Sequence, residues 1–128
     1  MKKNKIKRFL PYSRQYIDKK DIRKMSKILS EDLITQGPKV ISFEKKFAKY
    51  VGAKFAVACA NGTAALHLSC LALKLGPGKN FVTSPITFLA TANCAQFVGA
   101  DTYFADIGSD NLCLSTKSLE KILKKKKY

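Results

Sequence analysis

After Gly52 the hydrophobic pattern changes period, and that change constrains the fold more than any other feature of the chain. Lys54-Phe55-Ala56-Val57-Ala58-Cys59-Ala60 is a short, continuous apolar run, the pattern of a buried strand. Asn61-Gly62-Thr63 ends it, and Ala64 to Leu75 is helical by composition. Gly76-Pro77-Gly78 turns the chain into a second strand, Phe81-Val82-Thr83. Ile86 to Val98 reads as a helix ending at Gly99, and Thr102-Tyr103-Phe104-Ala105 as a third strand. Ser115 or Thr116 can cap a last helix bearing Leu119, Ile122 and Leu123. Strands alternating with helices predict an α/β fold with a largely parallel sheet.

The segment before Gly52 carries helical periodicity only. Asp18 can cap a helix running to about Asp32, with Ile22, Met25, Ile28 and Leu29 on one stripe. Thr35-Gln36-Gly37-Pro38 breaks it, with Gly37 expected to supply the awkward backbone and Pro38 to open the next helix. Val40, Phe43, Phe47, Tyr50 and Val51 then recur at helical spacing. Met1 to Arg8 is a basic arm with little reason to order.

Composition narrows the function classes. The 128 residues are enough for one core, and 46% apolar content excludes a disordered chain. The net charge of +15 is concentrated at the ends, in residues 1–38 and 117–128. Of the 24 basic residues 21 are Lys, whereas nucleic-acid readers lean on Arg for bidentate contacts, so nucleic-acid binding is disfavoured. No apolar run approaches the roughly 18 residues of a membrane span, and the N-terminus lacks the apolar core of a signal peptide. Cys59, Cys70, Cys94 and Cys113 form no CxxC pair or metal set; reduced, buried thiols in a cytoplasmic protein are expected, and no metal site.

In a parallel sheet, ligands bind at the carboxyl ends of the strands. Here those ends are Ala60-Asn61-Gly62-Thr63, Ser84-Pro85-Ile86-Thr87-Phe88 and Asp106-Ile107-Gly108. A Gly-Thr pair opening a helix offers backbone N–H groups, a hydroxyl and the positive helix end to a phosphate. The competing reading is an ordinary helix capped by Asn61 or Thr63. Phe88 is either a stacking platform for a planar ligand or a core residue. His67, the only histidine, lies mid-helix among apolar neighbours and is read as a packed or surface residue. Asp106 is read as a turn cap ahead of a catalytic carboxylate. P-loop, GxSxG, HExxH and GxGxxG motifs are absent from the sequence.

Thr35-Gln36-Gly37-Pro38, Asn61-Gly62-Thr63-Ala64-Ala65-Leu66-His67-Leu68 and Ser84-Pro85-Ile86-Thr87-Phe88-Leu89-Ala90-Thr91-Ala92-Asn93 together resemble one family. It is the DegT-type sugar aminotransferases, fold-type I enzymes that use pyridoxal 5′-phosphate (PLP). The motif set most resembles the branch that aminates C4 of a UDP-linked 4-keto-6-deoxy-N-acetylhexosamine on the way to pseudaminic acid. The resemblance implies the start of a mostly parallel sheet with helices on both faces. It divides the chain into a basic, disordered arm (1–10), N-terminal helices with a substrate loop (11–52), and the beginning of the PLP-binding α/β domain (53–128). Gly62, Thr63 and Ala64 match the positions that hold the cofactor phosphate, and Phe88 the aromatic that stacks on the pyridine ring. Tyr12 and Thr35 match positions that approach the nucleotide-sugar.

The resemblance also implies what to expect of the whole protein. Family members are about three times as long, and the aspartate that pairs with the pyridine nitrogen and the lysine that tethers the cofactor match no position here. No catalytic residue is therefore assigned within the chain, and the chain alone is expected to be inactive. A homodimer acting on a UDP-sugar and an amino donor, glutamate in this branch, is implied for the complete enzyme. The alternative is a non-enzymatic remnant or a basic nucleic-acid- or partner-binding module, motivated by the missing lysine and the charge. A sheet cut short exposes apolar faces, so poor solubility of the chain in isolation is expected.

Overall fold

The computed structural model of the chain describes residues 11, 13–31 and 33–125. The chain divides into two compact units, Met1–Ala56 and Val57–Tyr128.

The first unit holds two helices, α1 (Lys19–Leu29) and α2 (Pro38–Val51). Asp18 starts α1 as a capping box: its carboxylate accepts the N–H groups of Lys20 and Asp21 at 2.7 and 3.0 Å. Asp21 reciprocates by accepting the Asp18 N–H at 3.1 Å. The helix stops at Leu29, short of the predicted end; Asp32 lies outside the described residues. In the Thr35–Pro38 turn the left-handed residue is Gln36, at φ 52°, and not Gly37, whose φ is −74°. Gly37 is required for a different reason, because a Cβ there would fall on the carbonyl oxygen of Leu33. Pro38 occupies the first turn of α2, where its missing N–H costs nothing. Gly52 ends α2 in the left-handed conformation at φ 71°, and the Ala53 N–H closes onto the Ala48 carbonyl at 2.9 Å.

The second unit runs α3 (Gly62–Ala72), β1 (Asn80–Thr83), α4 (Leu89–Gln96), β2 (Asp101–Phe104) and α5 (Thr116–Lys125). β1 and β2 pair in parallel, Asn80 opposite Asp101 through Thr83 opposite Phe104. α4 is the crossover between them and packs on both strands as well as on α3. Its C-terminus closes at Gly99, φ 78°, where the Ala100 N–H reaches the Ala95 carbonyl at 3.0 Å. Thr102 Oγ1 donates to the Ala92 carbonyl at 3.2 Å and ties the helix to β2. The loop after β2 is held by an antiparallel Ile107–Leu114 bridge, and Ser115 Oγ caps α5 by accepting the Ser118 N–H at 3.3 Å. The architecture is α/β with a parallel sheet. Among the described residues no helix is long and apolar enough to cross a membrane.

Further along the chain the elements also depart from the sequence expectation. Residues 54–60 form no strand: they join no ladder with β1 or β2, and Phe55 and Val57 are exposed. An apolar run sets a tendency toward burial, whereas a strand exists only where a neighbour supplies the hydrogen-bonded ladder. The helix expected from Ile86 begins at Leu89, because Ser84 Oγ accepts the Ile86 N–H at 3.1 Å and bends the chain through Pro85 to Thr87. α3 ends at Ala72, ahead of the predicted Leu75, where Lys74 turns left-handed at φ 53°.

The core of this unit is built from small residues: Cys70, Ala90, Ala92, Cys94, Ala95, Ala100 and Ala105 are all buried, with Thr83 beside them. Cys70 on α3 and Cys94 on α4 are both buried, and burial, then the neighbouring Cys94, push the Cys70 thiol above its ordinary value. Cys59 and Cys113, expected to be buried, are exposed. A thiol reagent is therefore expected to modify Cys59 and Cys113 in the native protein and Cys70 and Cys94 only on unfolding, as read by peptide mass mapping. Equal labelling of all four would contradict this core. Because the folded Cys70 pKa is the higher one, its contribution to stability is complete below the unfolded thiol value. That contribution is lost as the pH rises through the folded value.

Candidate functional site

The candidate site lies at one edge of the β1–β2 sheet, and the direction of the helices puts it there. β1 and β2 are parallel, so α4 between them runs back, with its N-terminus at the carboxyl edge of the strands. α3 runs the same way. The turn that follows it touches the turn that follows α4: the Cβ position of Gly99 lies 3.2 Å from Pro77 Cγ, and that of Gly76 3.6 Å from the Val98 carbonyl oxygen. Cys70 on α3 and Cys94 on α4 are both buried, and the two helices pack on one another. The N-termini of α3 and α4 therefore lie at the same end of the helix pair, toward the carboxyl edge.

At the start of α3, Asn61 is the cap: its Oδ1 accepts the Ala64 N–H at 2.9 Å, and its carbonyl accepts the Ala65 N–H at 3.0 Å. Of the two caps the sequence allowed, the structure uses Asn61, which leaves the Thr63 hydroxyl out of the capping bond. The N–H groups of Gly62 and Thr63 belong to the first turn, where no intrahelical acceptor exists. The Ala64 N–H is already taken. Gly62 has no need of a special backbone angle, and a Cβ built on it meets nothing within 4 Å. The chain itself thus gives no steric reason for glycine, and the open space is a cradle that an incoming anion can fill. No acidic residue stands in the first turn of α3, so the helix dipole faces that space uncompensated.

Phe88 is the N-cap residue of α4, 76% exposed, and so not a core residue. The Thr91 N–H donates to its carbonyl at 2.9 Å, and the Thr87 and Thr91 hydroxyls are 3.1 Å apart. Sequence reading missed this Thr-x-x-x-Thr pair, although its spacing of four was the available signal. His67 lies half-buried with its ring edge-on to Phe97, centroids 5.5 Å apart, as expected of a packing residue. Asp106 caps its own turn: its Oδ1 accepts the Ile107 N–H at 2.8 Å, and its N–H donates to Ser118 Oγ at 2.9 Å. Thr35 is an exposed residue of the turn between α1 and α2, in the other unit, and Tyr12 lies outside the described residues. The structure thus brings Gly62, Thr63, Ala64 and Phe88 to one edge. That edge fits a phosphate at the helix N-terminus with a planar group beside it.

Comparison with known proteins places the chain in a family. Residues 15–127 match the model of the DegT/DnrJ/EryC1/StrS aminotransferase family. The spore coat polysaccharide biosynthesis protein SpsC of Bacillus subtilis is 46% identical over 112 residues, 88% of this chain and 29% of SpsC. Among solved structures, Helicobacter pylori PseC, described as an aminotransferase involved in the biosynthesis of pseudoaminic acid, superposes with a TM-score of 0.80. It is 29% identical over 88% of this chain and 30% of its own. The Streptococcus pneumoniae sugar aminotransferase Spr1654 in its PLP form gives a TM-score of 0.81 at 28% identity, covering 88% of this chain and 29% of that one. A PMP form of the same enzyme matches equally well. The chain spans less than a third of the length of these relatives. The chain belongs to the DegT/DnrJ/EryC1/StrS aminotransferase family, whose members are PLP-dependent.

Proposed function

We propose that this chain forms the cofactor-phosphate end of a PLP-dependent nucleotide-sugar transaminase. In this reading the complete protein moves an amino group from glutamate to C4 of a UDP-linked 4-keto-6-deoxy-N-acetylhexosamine in surface-sugar biosynthesis. The observation that carries the proposal is the α3 N-terminus, which no acidic residue compensates, at the same end of the helix pair as the exposed Phe88. The sugar class rests on the resemblance of the motifs and on the polysaccharide and pseudoaminic acid biosynthesis to which SpsC and PseC belong.

The residues divide the work between them. The Gly62 and Thr63 N–H groups and the Thr63 hydroxyl bind the phosphate, with Ala64 keeping the first helical turn uncluttered and its own N–H engaged by Asn61. Phe88 covers one face of the pyridine ring and excludes water from it. Thr35 and Tyr12 approach the nucleotide-sugar. When bound, PLP supplies the electron sink that lets an amino group pass between donor and keto-sugar. In the complete protein we further propose a cytoplasmic homodimer whose lysine tether and ring-nitrogen partner come from outside the matched region.

The experiment is direct. The complete enzyme should bind PLP with a visible absorption band and aminate the UDP-4-keto sugar from glutamate; a colourless protein indifferent to PLP would sink the proposal. Phe88→Ala is expected to weaken PLP binding about 2- to 10-fold, the loss of one stacking contact worth about 0.5–1.5 kcal/mol. Since the side chain is exposed in the chain, the apo melting temperature should not move.

A further inference from the structure

Phe88 stands outside the core, so packing alone does not fix its ring. Its backbone, at φ −70° and ψ 142°, is extended immediately before α4, and no side chain caps the helix there. Two threonines bracket it instead. Thr91, one turn on, is half-buried and donates its N–H to the Phe88 carbonyl at 2.9 Å. Its hydroxyl meets that of Thr87, the residue before Phe88, at 3.1 Å. Thr91 is itself anchored, because Cys94 Sγ donates to its carbonyl at 3.1 Å. On the other side, the Ser84 hydroxyl accepts the Ile86 N–H and fixes the approach to Thr87.

We propose that the Thr87–Thr91 hydroxyl pair is a positioning device that clamps Phe88 in the orientation needed to cover the cofactor ring. The proposal rests on the assignment of Phe88 as the stacking residue. The physical reason is pre-organisation. An exposed aromatic residue on a free loop samples several rotamers and loses that freedom on binding, whereas a hydrogen bond closing the turn around its backbone removes most of it beforehand. In this proposal both threonines act through Phe88, to whose backbone Thr91 is bonded and which Thr87 precedes.

The test is a double-mutant cycle in the holoenzyme, with PLP as titrant. Thr91→Val and Thr87→Val each remove one hydroxyl while keeping side-chain shape. Each is expected to weaken PLP binding about 3-fold and to reduce the visible circular dichroism of the bound cofactor. The double variant should lose no more than either single one, because both remove the same bond. Thr91→Ser, which keeps the hydroxyl, should restore both affinity and signal. In a Phe88→Ala background, Thr91→Val should have no further effect. If Phe88→Ala weakens PLP binding but the valine variants bind like the parent, the positioning role is overturned while the site stands. If Phe88→Ala itself binds PLP like the parent, the stacking assignment fails and the clamp with it. A valine variant that does not fold is replaced in the cycle by the alanine variant at the same position, which also removes the hydroxyl; the same loss of affinity is expected, and parent-like binding would overturn the positioning role.

Discussion

Thr63→Ala is expected to weaken PLP binding by about 10- to 100-fold and leave the apo protein as stable as before. A hydrogen bond to a charged group is worth about 1.5–3 kcal/mol, and each 1.4 kcal/mol is a factor of ten. Asn61, and not Thr63, caps α3, so the substitution removes no capping bond. Gly62→Ala should act in the same direction through space in place of hydrogen bonding. The added methyl meets nothing in the chain within 4 Å, and alanine is the better helix former by up to about 1 kcal/mol. The apo melting temperature should therefore hold or rise while affinity falls. Equilibrium titration with PLP beside thermal melts of the apo forms separates the two quantities. Unchanged affinity in both variants would contradict the cradle.

Ala95→Leu carries the largest expected effect on stability. Ala95, on α4, is fully buried in a core whose members are nearly all alanine or cysteine, and α4 packs on β1, β2 and α3. Its carbonyl also closes the end of α4 through the Ala100 N–H. A larger side chain there pushes α4 off β1 and β2, at a cost of about 1–3 kcal/mol. For a unit of this size that lowers the melting temperature by about 5–20 °C. Leu73→Ala, at a position 80% exposed, is the control and should stay within about 0.5 kcal/mol of the parent. Equal melting temperatures for Ala95→Leu and the parent would show that the α4–sheet contact is not the core.

The comparison of sequence and structure has a physical pattern. Elements announced by local chemistry were legible: the Asp18 capping box, Pro38 at the start of α2, Gly52 and Gly99 at helix ends, and β1 with β2 to within one residue. What depends on a partner distant in sequence was not. Residues 54–60 have the composition of a strand but not its ladder. The bend at Pro85–Thr87 depends on one serine hydroxyl, and the glycine at position 37 on a carbonyl four residues earlier rather than on its own backbone angle.

The site divides along the same line. The Gly62–Thr63 helix start was visible as a motif, but which residue caps it, and hence which groups remain for a phosphate, needed the hydrogen bonds. That α3 and α4 pack side by side, with the turns that follow them in contact, is something no spacing in the sequence reveals. The burial of Cys70 and Cys94 was anticipated, whereas the exposure of Cys59 follows from the missing ladder at 54–60 and that of Cys113 from its place in the loop after β2.

The most direct measurement compares PLP with pyridoxal, which has the same ring but no phosphate, in the complete enzyme and its Thr63→Ala variant. If the N-terminus of α3 holds the phosphate, the variant loses affinity for PLP by about 10-fold or more and binds pyridoxal like the parent. Equal losses for both ligands, or no loss for either, would place the phosphate elsewhere and contradict the site.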